Sequence, residues 1–206
     1  DGISLQYAQK LLKGRTTLPK LKCDSAFALQ DEALEKVPNR VGLVFRRWAG
    51  LNVQGIHDLL DQIIAAGKIP VLIVCEPRVD ISFYEEILKD SRFKVEIYNP
   101  KTVMEAVQFI SQLEYLISMR LHPLIFGIKS SVPVVAINYD HKISEVMKNC
   151  GLSDNIFDLS FDAHQVFRAM MNSKVSSPGY VQENYKDAVE GFRSVEAILN
   201  QQSKSS

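Results

Sequence analysis

Short apolar runs alternate with amphipathic segments along most of the chain, from residue 41 onward. Six of the runs have the length and composition of buried strands, at residues 41–45, 69–75, 93–98, 115–118, 132–137 and 155–159. The segments between them carry apolar residues at helical spacing. Strands that alternate with helices form a parallel sheet with right-handed crossovers. The pattern therefore predicts an α/β, Rossmann-like three-layer sandwich with a mostly parallel six-stranded sheet.

Polar residues that favour helix starts precede several of the amphipathic segments. Asn52, Asp80 and Asp140 are each predicted to be the N-cap of the helix that follows. Thr102, with Glu105 three residues later, matches the capping box. These signals place the helix starts shortly after the strand ends, as consecutive strand–helix units require.

Three strand–helix units followed by three more predict two mononucleotide-binding halves, with the strand order 3-2-1-4-5-6. In that order the first and fourth strands are neighbours, and the direction of strand progression reverses between them. Ligands of open α/β sheets bind at this point, outside the carboxyl ends of the strands. The turns after the first and fourth strands are therefore the candidate site.

Both of these turns carry basic residues. Arg46 and Arg47 follow the first strand, and Arg120 and His122 follow the fourth, with Pro123 in the first turn of the next helix. The free N–H groups of that helix start also favour an anion. The sequence thus predicts a binding site for a small anion. Two alternatives remain. One is that Arg46 or Arg47 pairs with a local carboxylate, and the other is that the turn after the fourth strand is only a solvated helix start.

The two ends of the chain differ from this alternating region. Residues 1–40 are interpreted as a helix followed by a mixed segment and a charged linker, 41–179 as the Rossmann-like domain, and 180–206 as a C-terminal helix and polar tail. The last helix carries one narrow apolar seam, formed by Val181, Tyr185, Ala188, Phe192, Val195 and Leu199. A helix packed on a domain is favoured over a coiled-coil dimer, which would make the protein a homo-oligomer.

Charge and cysteine content argue against several classes of function. Lysine plus arginine and aspartate plus glutamate number 24 each, so no basic stripe indicates nucleic acid. No apolar run is long enough for a transmembrane segment. The three scattered cysteines lack metal-ligand spacing and favour a reducing compartment. Without a glycine-rich phosphate loop, we expect no nucleotide cofactor. We also expect no metal, and a protein that is cytoplasmic or peripheral at the membrane.

Two stretches resemble the signature of the polysaccharide pyruvyl transferases. They are SMRLH at 118–122, with the helix start after it, and VPVVAINYDHK at 132–142. The first strand, with Arg46 and Trp48 at its end, is similar to that family's strand ending in an arginine and a tryptophan. The loop at 76–78 departs from the family, which often carries a histidine there, so that loop receives no role.

The resemblance implies two facing Rossmann-like domains, as in the GT-B glycosyltransferases. This chain is then the second domain, with residues 1–40 as the connector from an N-terminal domain outside this chain. It implies transfer of the enolpyruvyl unit of phosphoenolpyruvate to two hydroxyls of a glycan or lipid-linked sugar, which yields a pyruvate ketal and phosphate without a cofactor. His122 is then the general acid. Arg46, Arg120 and Leu121 bind the donor, and Arg47 replaces Arg46 if the strand register shifts by one residue.

Two further hypotheses belong to other classes. The chain is alternatively the nucleotide-sugar-binding domain of a GT-B glycosyltransferase or a sugar epimerase, with Glu145 as a candidate carboxylate for the ribose. The third hypothesis is a non-catalytic Rossmann-like module that mediates assembly through the seam of the last helix. Titration with phosphoenolpyruvate and with a uridine nucleotide sugar separates the three.

Overall fold

The computed structural model describes residues 2–11, 23–29, 34–89 and 95–202. The predicted start of the third strand at Phe93 lies outside these residues. The chain divides into two compact units, one made of Asp1–Gln30 with Pro178–Ser206 and the other of Asp31–Ser177. The division predicted from the sequence, at 40/41 and 179/180, concerns a longer protein and stays a prediction.

The described residues form six strands and eight helices. The strands are β1 Arg40–Val44, β2 Ile69–Ile73, β3 Glu96–Tyr98, β4 Tyr115–Ser118, β5 Val134–Ile137 and β6 Ile156–Phe157. The helices are α1 Gly2–Leu11, α2 Val53–Ala65, α3 Pro77–Leu88, α4 Val103–Ser111, α5 Leu121–Lys129, α6 His141–Asn149, α7 Ala163–Asn172 and α8 Pro178–Gln202.

The six strands form one all-parallel sheet in the order β3-β2-β1-β4-β5-β6, which confirms the predicted topology. The predicted α/β class is confirmed with it. Because β1 and β4 are neighbours, the reversal of strand order falls between them, and the turns after these two strands lie at the same edge of the sheet.

Helices cover both faces of this sheet. On one face, buried side chains of α2, α3 and α7 pack against β1, β4 and β5 in one apolar cluster that includes Leu43, Ile56 and Val166. On the other face, two glycines allow close packing between neighbouring segments. A Cβ added at Gly42 would lie 2.4 Å from Leu113 Cδ1, and one added at Gly127 would lie 2.8 Å from Val134 Cγ1.

Two of the three predicted N-caps and the capping threonine are observed. Asn52 Oδ1 accepts a hydrogen bond from Gly55 N at 2.9 Å, and Thr102 Oγ1 accepts one from Glu105 N at 3.1 Å. Asp140 Oδ1 accepts one from Lys142 N at 2.9 Å. The prediction for Asp80 is wrong: α3 begins at Pro77, a residue suited to the first helical position, and Asp80 lies inside its first turn.

In the first unit, α8 packs against a short 3₁₀ turn at Ser25–Ala28. The buried ring of Phe27 meets Tyr180 edge to face, with centroids 6.2 Å apart. The Cys23 thiol donates to the carbonyl oxygen of Asn184 at 2.9 Å. Burial raises the pKa of that thiol to about 11, so it stays protonated and keeps this hydrogen bond at neutral pH.

The apolar seam of α8 is buried only in part. Ala188 is buried, whereas Phe192 is 58% exposed and Val195 is 56% exposed. The expectation that this seam packs on apolar surface, of this chain or of an N-terminal domain outside it, therefore stays a prediction. None of the helices described is both long and apolar enough to cross a membrane.

Candidate functional site

The register of the central strands brings the two basic turns together. Val44 pairs with Ser118, so Arg46 and Arg120 each lie two residues beyond this pair at the carboxyl edge. Two bonds link the turns: Met119 N donates to Val44 O at 2.9 Å, and Arg46 N donates to Met119 Sδ at 3.0 Å. The predicted juxtaposition of Arg46 with Arg120 is therefore observed.

A buried serine shapes the turn that holds Arg120. Ser118 Oγ accepts a hydrogen bond from Arg120 N at 2.9 Å and donates one to Arg120 O at the same distance. Ser118 has no exposed surface, so both bonds are shielded from water. These bonds turn the chain sharply from β4 into α5, whose first residue is Leu121. This role was not predicted from the sequence, although a serine two residues before a helix N-cap is a usable signal.

The Arg120 side chain is held by a fully buried carboxylate. Arg120 Nη2 donates to Asp80 Oδ1 at 2.6 Å, and Asp80 Oδ2 accepts from Cys75 N at 2.9 Å and Glu76 N at 2.7 Å. Burial by itself would lower the pKa of Arg120, but the adjacent Asp80 carboxylate raises it, so the guanidinium stays charged. Asp80 thus ties the turn after β2 to the turn after β4. Its importance to Arg120 was missed from the sequence.

Glu76 lies beside this ion pair, at the same edge. Its Oε2 is 3.8 Å from Arg120 Nη2, and its side chain is 50% exposed. Because Glu76 follows β2, the neighbour of β1, it lies at the same edge as Arg46 and Arg120. Since half of its surface is in water, this second carboxylate contributes less to Arg120 than Asp80 does.

Arg46 differs from Arg120 in having no carboxylate partner among the described residues. Its guanidinium Cζ lies 5.3 Å from the centroid of the Trp48 ring, a cation–π distance. Trp48 in turn contacts Tyr139, with ring centroids 4.5 Å apart. The Arg46 charge is therefore positioned by an aromatic ring and left uncompensated, which suits it to an anionic ligand.

Arg47 points into a local ion pair instead. Its guanidinium donates to both carboxylate oxygens of Glu86, with Nη1 3.3 Å from Oε1, and lies 5.2 Å from the ring centroid of Phe83. The hydrogen bond and charge of Arg47 lower the pKa of Glu86 below its ordinary value. The alternative of a carboxylate partner is thus realised at Arg47, and Arg46 is the arginine available at the crevice.

Three of the four buried side-chain polar atoms without a hydrogen-bond partner in the described part of the chain cluster at this edge. They are Arg46 Nε, Arg120 Nε and Asn138 Oδ1, which follow β1, β4 and β5. Buried polar groups are paired in the great majority of cases. Their concentration beyond three neighbouring strands indicates that polar partners from a ligand belong here.

His122 and Leu121 occupy the first turn of α5. His122 is exposed, and its ring stacks over Phe126 with centroids 6.4 Å apart and an interplanar angle of 19°. Leu121 is half-buried. The structure places both residues at the edge that carries Arg120, while their roles stay predictions. Glu145, the ribose-binding candidate of the alternative hypothesis, is half-buried in α6.

A buried tyrosine stiffens the edge beneath the site. Tyr84 Oη accepts from Phe45 N at 3.0 Å and lies 2.8 Å from Phe45 O and 3.0 Å from Ile73 O, so its single proton serves one of two carbonyls. Burial raises the pKa of this phenol above its ordinary value and keeps it neutral. Tyr84 joins the carboxyl ends of β1 and β2.

Comparison with solved structures shows which proteins share this fold. The UDP-GlcNAc 2-epimerase from Methanocaldococcus jannaschii matches with a TM-score of 0.57 at 15% identity, over 77% of this chain and 46% of that chain. The same epimerase in complex with UDP-GlcNAc and UDP matches with a TM-score of 0.52 at 13% identity, over 96% and 52%. A mutant of TarM from S. aureus matches with a TM-score of 0.53 at 11% identity, over 86% and 37%. The fold is that of the GT-B glycosyltransferases and epimerases.

The family follows from the sequence model of polysaccharide pyruvyl transferases, which matches residues 3–141. The match covers more than half of the chain and includes both basic turns and the start of α6. The chain belongs to the polysaccharide pyruvyl transferase family, as its motifs predicted. No curated protein matches it. The chain spans about half the length, 46%, of the first epimerase structure.

Proposed function

We propose that this chain is the donor-binding part of a phosphoenolpyruvate-dependent polysaccharide pyruvyl transferase. The protein would transfer the enolpyruvyl group to sugar hydroxyls and form a pyruvate ketal during synthesis of a cell-surface polysaccharide. The family match supports the transferase class, and the basic crevice supports an anionic donor. The observation that carries the proposal is the alignment of Arg46 and Arg120 beyond neighbouring strands, at the edge where α5 begins.

The donor fits this crevice by charge. Phosphoenolpyruvate carries a carboxylate and a phosphate a few bonds apart, and guanidinium groups bind both by paired hydrogen bonds. Arg46, which has no carboxylate partner in the described part of the chain, would take one anionic group. Arg120, held in place by Asp80, would take the other with its remaining donors and with the N–H groups of α5, whose dipole also favours an anion. Leu121 would provide apolar contact to the methylene end.

Ketal formation needs one proton added and two hydroxyl protons removed. His122 would deliver a proton to the methylene carbon, which becomes a methyl group, while one sugar hydroxyl oxygen bonds to the adjacent carbon and loses its proton. The second hydroxyl then displaces phosphate from the same carbon and loses its proton. Of the two hydroxyl protons, one returns to the histidine and the other leaves on the phosphate, so the proton given to the methylene carbon is replaced. A histidine side chain exchanges protons near neutral pH, which suits this role.

We propose that the acceptor binds between this chain and another domain of the full-length protein. The chain covers about half the length of the epimerase structure, so we expect the glycan or lipid-linked sugar to contact another domain as well. On this view the chain binds donor by itself without turnover, in the cytoplasm or at the inner membrane surface. No metal or cofactor is required by the chemistry proposed, since the donor already carries an activated phosphate leaving group.

His122→Gln in the full-length protein tests the assigned acid. Glutamine keeps a hydrogen-bond donor of similar reach but does not transfer a proton at neutral pH. We expect turnover to fall by roughly 10²–10⁴-fold with donor affinity nearly unchanged. His164→Gln, at an exposed position in α7, is the matched control. Near-normal turnover in His122→Gln would remove this histidine from the mechanism, and loss of donor affinity would make it an anion ligand.

The alternative, a nucleotide-sugar-binding domain, shares the fold and differs in the donor. A likeness at 15% identity supports the architecture and does not separate the two donors. Calorimetric titration of the chain with phosphoenolpyruvate and with UDP-GlcNAc separates them directly. Glu145→Gln should weaken a nucleotide sugar through its ribose and leave phosphoenolpyruvate binding as it was.

A further inference from the structure

An aromatic pair lies at the same edge as the proposed donor site. Trp48 is the single tryptophan of the chain and is 42% exposed. Its ring contacts Tyr139 with centroids 4.5 Å apart and an interplanar angle of 50°. Tyr139 is half-buried and packs against the core cluster, so the pair has a fixed base. Large aromatic rings are usually withdrawn from water, and this one remains exposed beside functional residues.

The topology places this pair next to the turn that holds Arg120 and His122. β1 and β5 are the two neighbours of β4, so the turns carrying Trp48 and Tyr139 stand on either side of the turn after β4. The contact between the two rings joins these flanking turns. Arg46, proposed as a donor ligand, lies 5.3 Å from the Trp48 centroid. A ligand on Trp48 would therefore lie beside the donor.

The chemistry of the pair suits a sugar ring. One face of a pyranose presents C–H groups that pack on an aromatic face, while its hydroxyls reach neighbouring polar groups. Asn138, directly before Tyr139, has a buried side-chain oxygen without a partner among the residues described, and a sugar hydroxyl is a donor for such an atom. A large aromatic side chain buries about 150–250 Å² when it is fully covered. Since Trp48 is 42% exposed, roughly 100 Å² of its surface is available to a ligand. Each partner in a typical protein–protein interface buries roughly 800 Å², so this exposed area suits a single sugar ring better than a protein.

We propose that Trp48 and Tyr139 form the platform on which the hexopyranose ring of the acceptor stacks, with its hydroxyls directed toward the donor held at Arg46 and Arg120. The proposal rests on the proposed function and adds the acceptor subsite to it. Trp48 gives the stacking face, Tyr139 supports it from the β5 side, and Arg46 fixes the ring from the donor side.

Because Trp48 is the only tryptophan, its fluorescence reports on this platform alone in the 206-residue chain. The probes are the methyl glycosides of glucose, galactose and mannose, titrated one at a time. We expect at least one to give a saturable blue shift and to reduce acrylamide quenching of Trp48. Tyr139→Ala should weaken that response several-fold. Ile69→Ala, an exposed apolar residue at the opposite edge of the sheet, should leave it unchanged.

Kinetics in the full-length protein provide the second readout. Trp48→Ala should raise the acceptor KM by about tenfold, which corresponds to about 1.4 kcal/mol, with a smaller change in the donor KM. Trp48→Phe should recover most of the acceptor affinity, because it restores a stacking face.

The outcomes separate this proposal from the proposed function. If none of the three glycosides alters Trp48 fluorescence and Trp48→Ala leaves the acceptor KM unchanged, the platform is wrong. Saturable quenching by UDP-GlcNAc without a response to the glycosides would make Trp48 a base-stacking residue and also overturn it. If the glycosides bind and phosphoenolpyruvate does not, the platform stands and the assigned donor fails.

Discussion

Asp80→Ala removes three hydrogen bonds from one buried carboxylate. Asp80 has no exposed surface, and its oxygens accept from Arg120 Nη2 at 2.6 Å and from the backbone N–H groups of Cys75 and Glu76 at 2.9 and 2.7 Å. Alanine leaves the guanidinium without its main partner. It also frees the chain at the end of β2, where the two backbone donors lie.

The expected loss follows from the environment of the pair. Removal of one partner from a buried ion pair costs about 3–5 kcal/mol. The Arg120 side chain retains 16% exposure and has Glu76 Oε2 3.8 Å away, and both reduce the cost of leaving it unpaired. We therefore expect Asp80→Ala to lower the free energy of unfolding by about 3 kcal/mol, the lower end of that range. For a unit of this size that corresponds to a fall in Tm of about 6–12 °C.

Urea unfolding followed by circular dichroism measures this loss, with the second unit, Asp31–Ser177, dominating the signal. Glu85→Ala is the matched control, since Glu85 is an exposed carboxylate on the same helix. It should stay within about 0.5 kcal/mol of the parent chain. Asp80→Asn keeps the shape without the charge and should fall between the two. If Asp80→Ala were as stable as Glu85→Ala, the carboxylate would not hold Arg120.

Two further stability predictions concern packing. Phe27→Ala should destabilise the first unit by about 3–5 kcal/mol, because Phe27 is 1% exposed. Phe192→Ala should cost less than about 0.5 kcal/mol, because Phe192 is 58% exposed. Equal losses in urea unfolding would contradict the partial burial of α8. Gly42→Ala should cost about 1–3 kcal/mol by overpacking, since the new Cβ would lie 2.4 Å from Leu113 Cδ1 and 2.9 Å from Ile73 Cδ1. An unchanged Tm in this variant would show that the face relaxes freely.

The fold was predictable because its signals are local and repeated. Each strand is an apolar run, each helix has its own period, and Asn52 and Thr102 cap helices where expected. The order of strands followed from the general topology of two consecutive mononucleotide-binding halves. The error at Asp80 arose because Pro77, four residues after the end of β2, opens the helix before the first good capping residue.

The site was predictable in position and less so in detail. Because the carboxyl ends of neighbouring parallel strands meet at one edge, the strand order predicted that Arg46 and Arg120 lie close together. The alternation of apolar and polar residues along a strand, however, gives no information on side chains in the turn beyond it. The ion pair of Arg47 with Glu86 and that of Arg120 with Asp80 join residues about 40 positions apart. Pairings of this kind depend on the approach of neighbouring turns, which spacing along one sequence does not contain.

Calorimetric titration of the chain with phosphoenolpyruvate, in parallel for Arg46→Ala and Arg47→Ala, tests the central claim most directly. The account predicts saturable one-to-one binding that Arg46→Ala weakens by about 30-fold or more, since a charged ligand loses its partner at a cost of at least about 2 kcal/mol. Arg47→Ala should stay within about twofold, because its guanidinium is engaged by Glu86. Absence of phosphoenolpyruvate binding, or equal losses in the two variants, would contradict the assigned donor site.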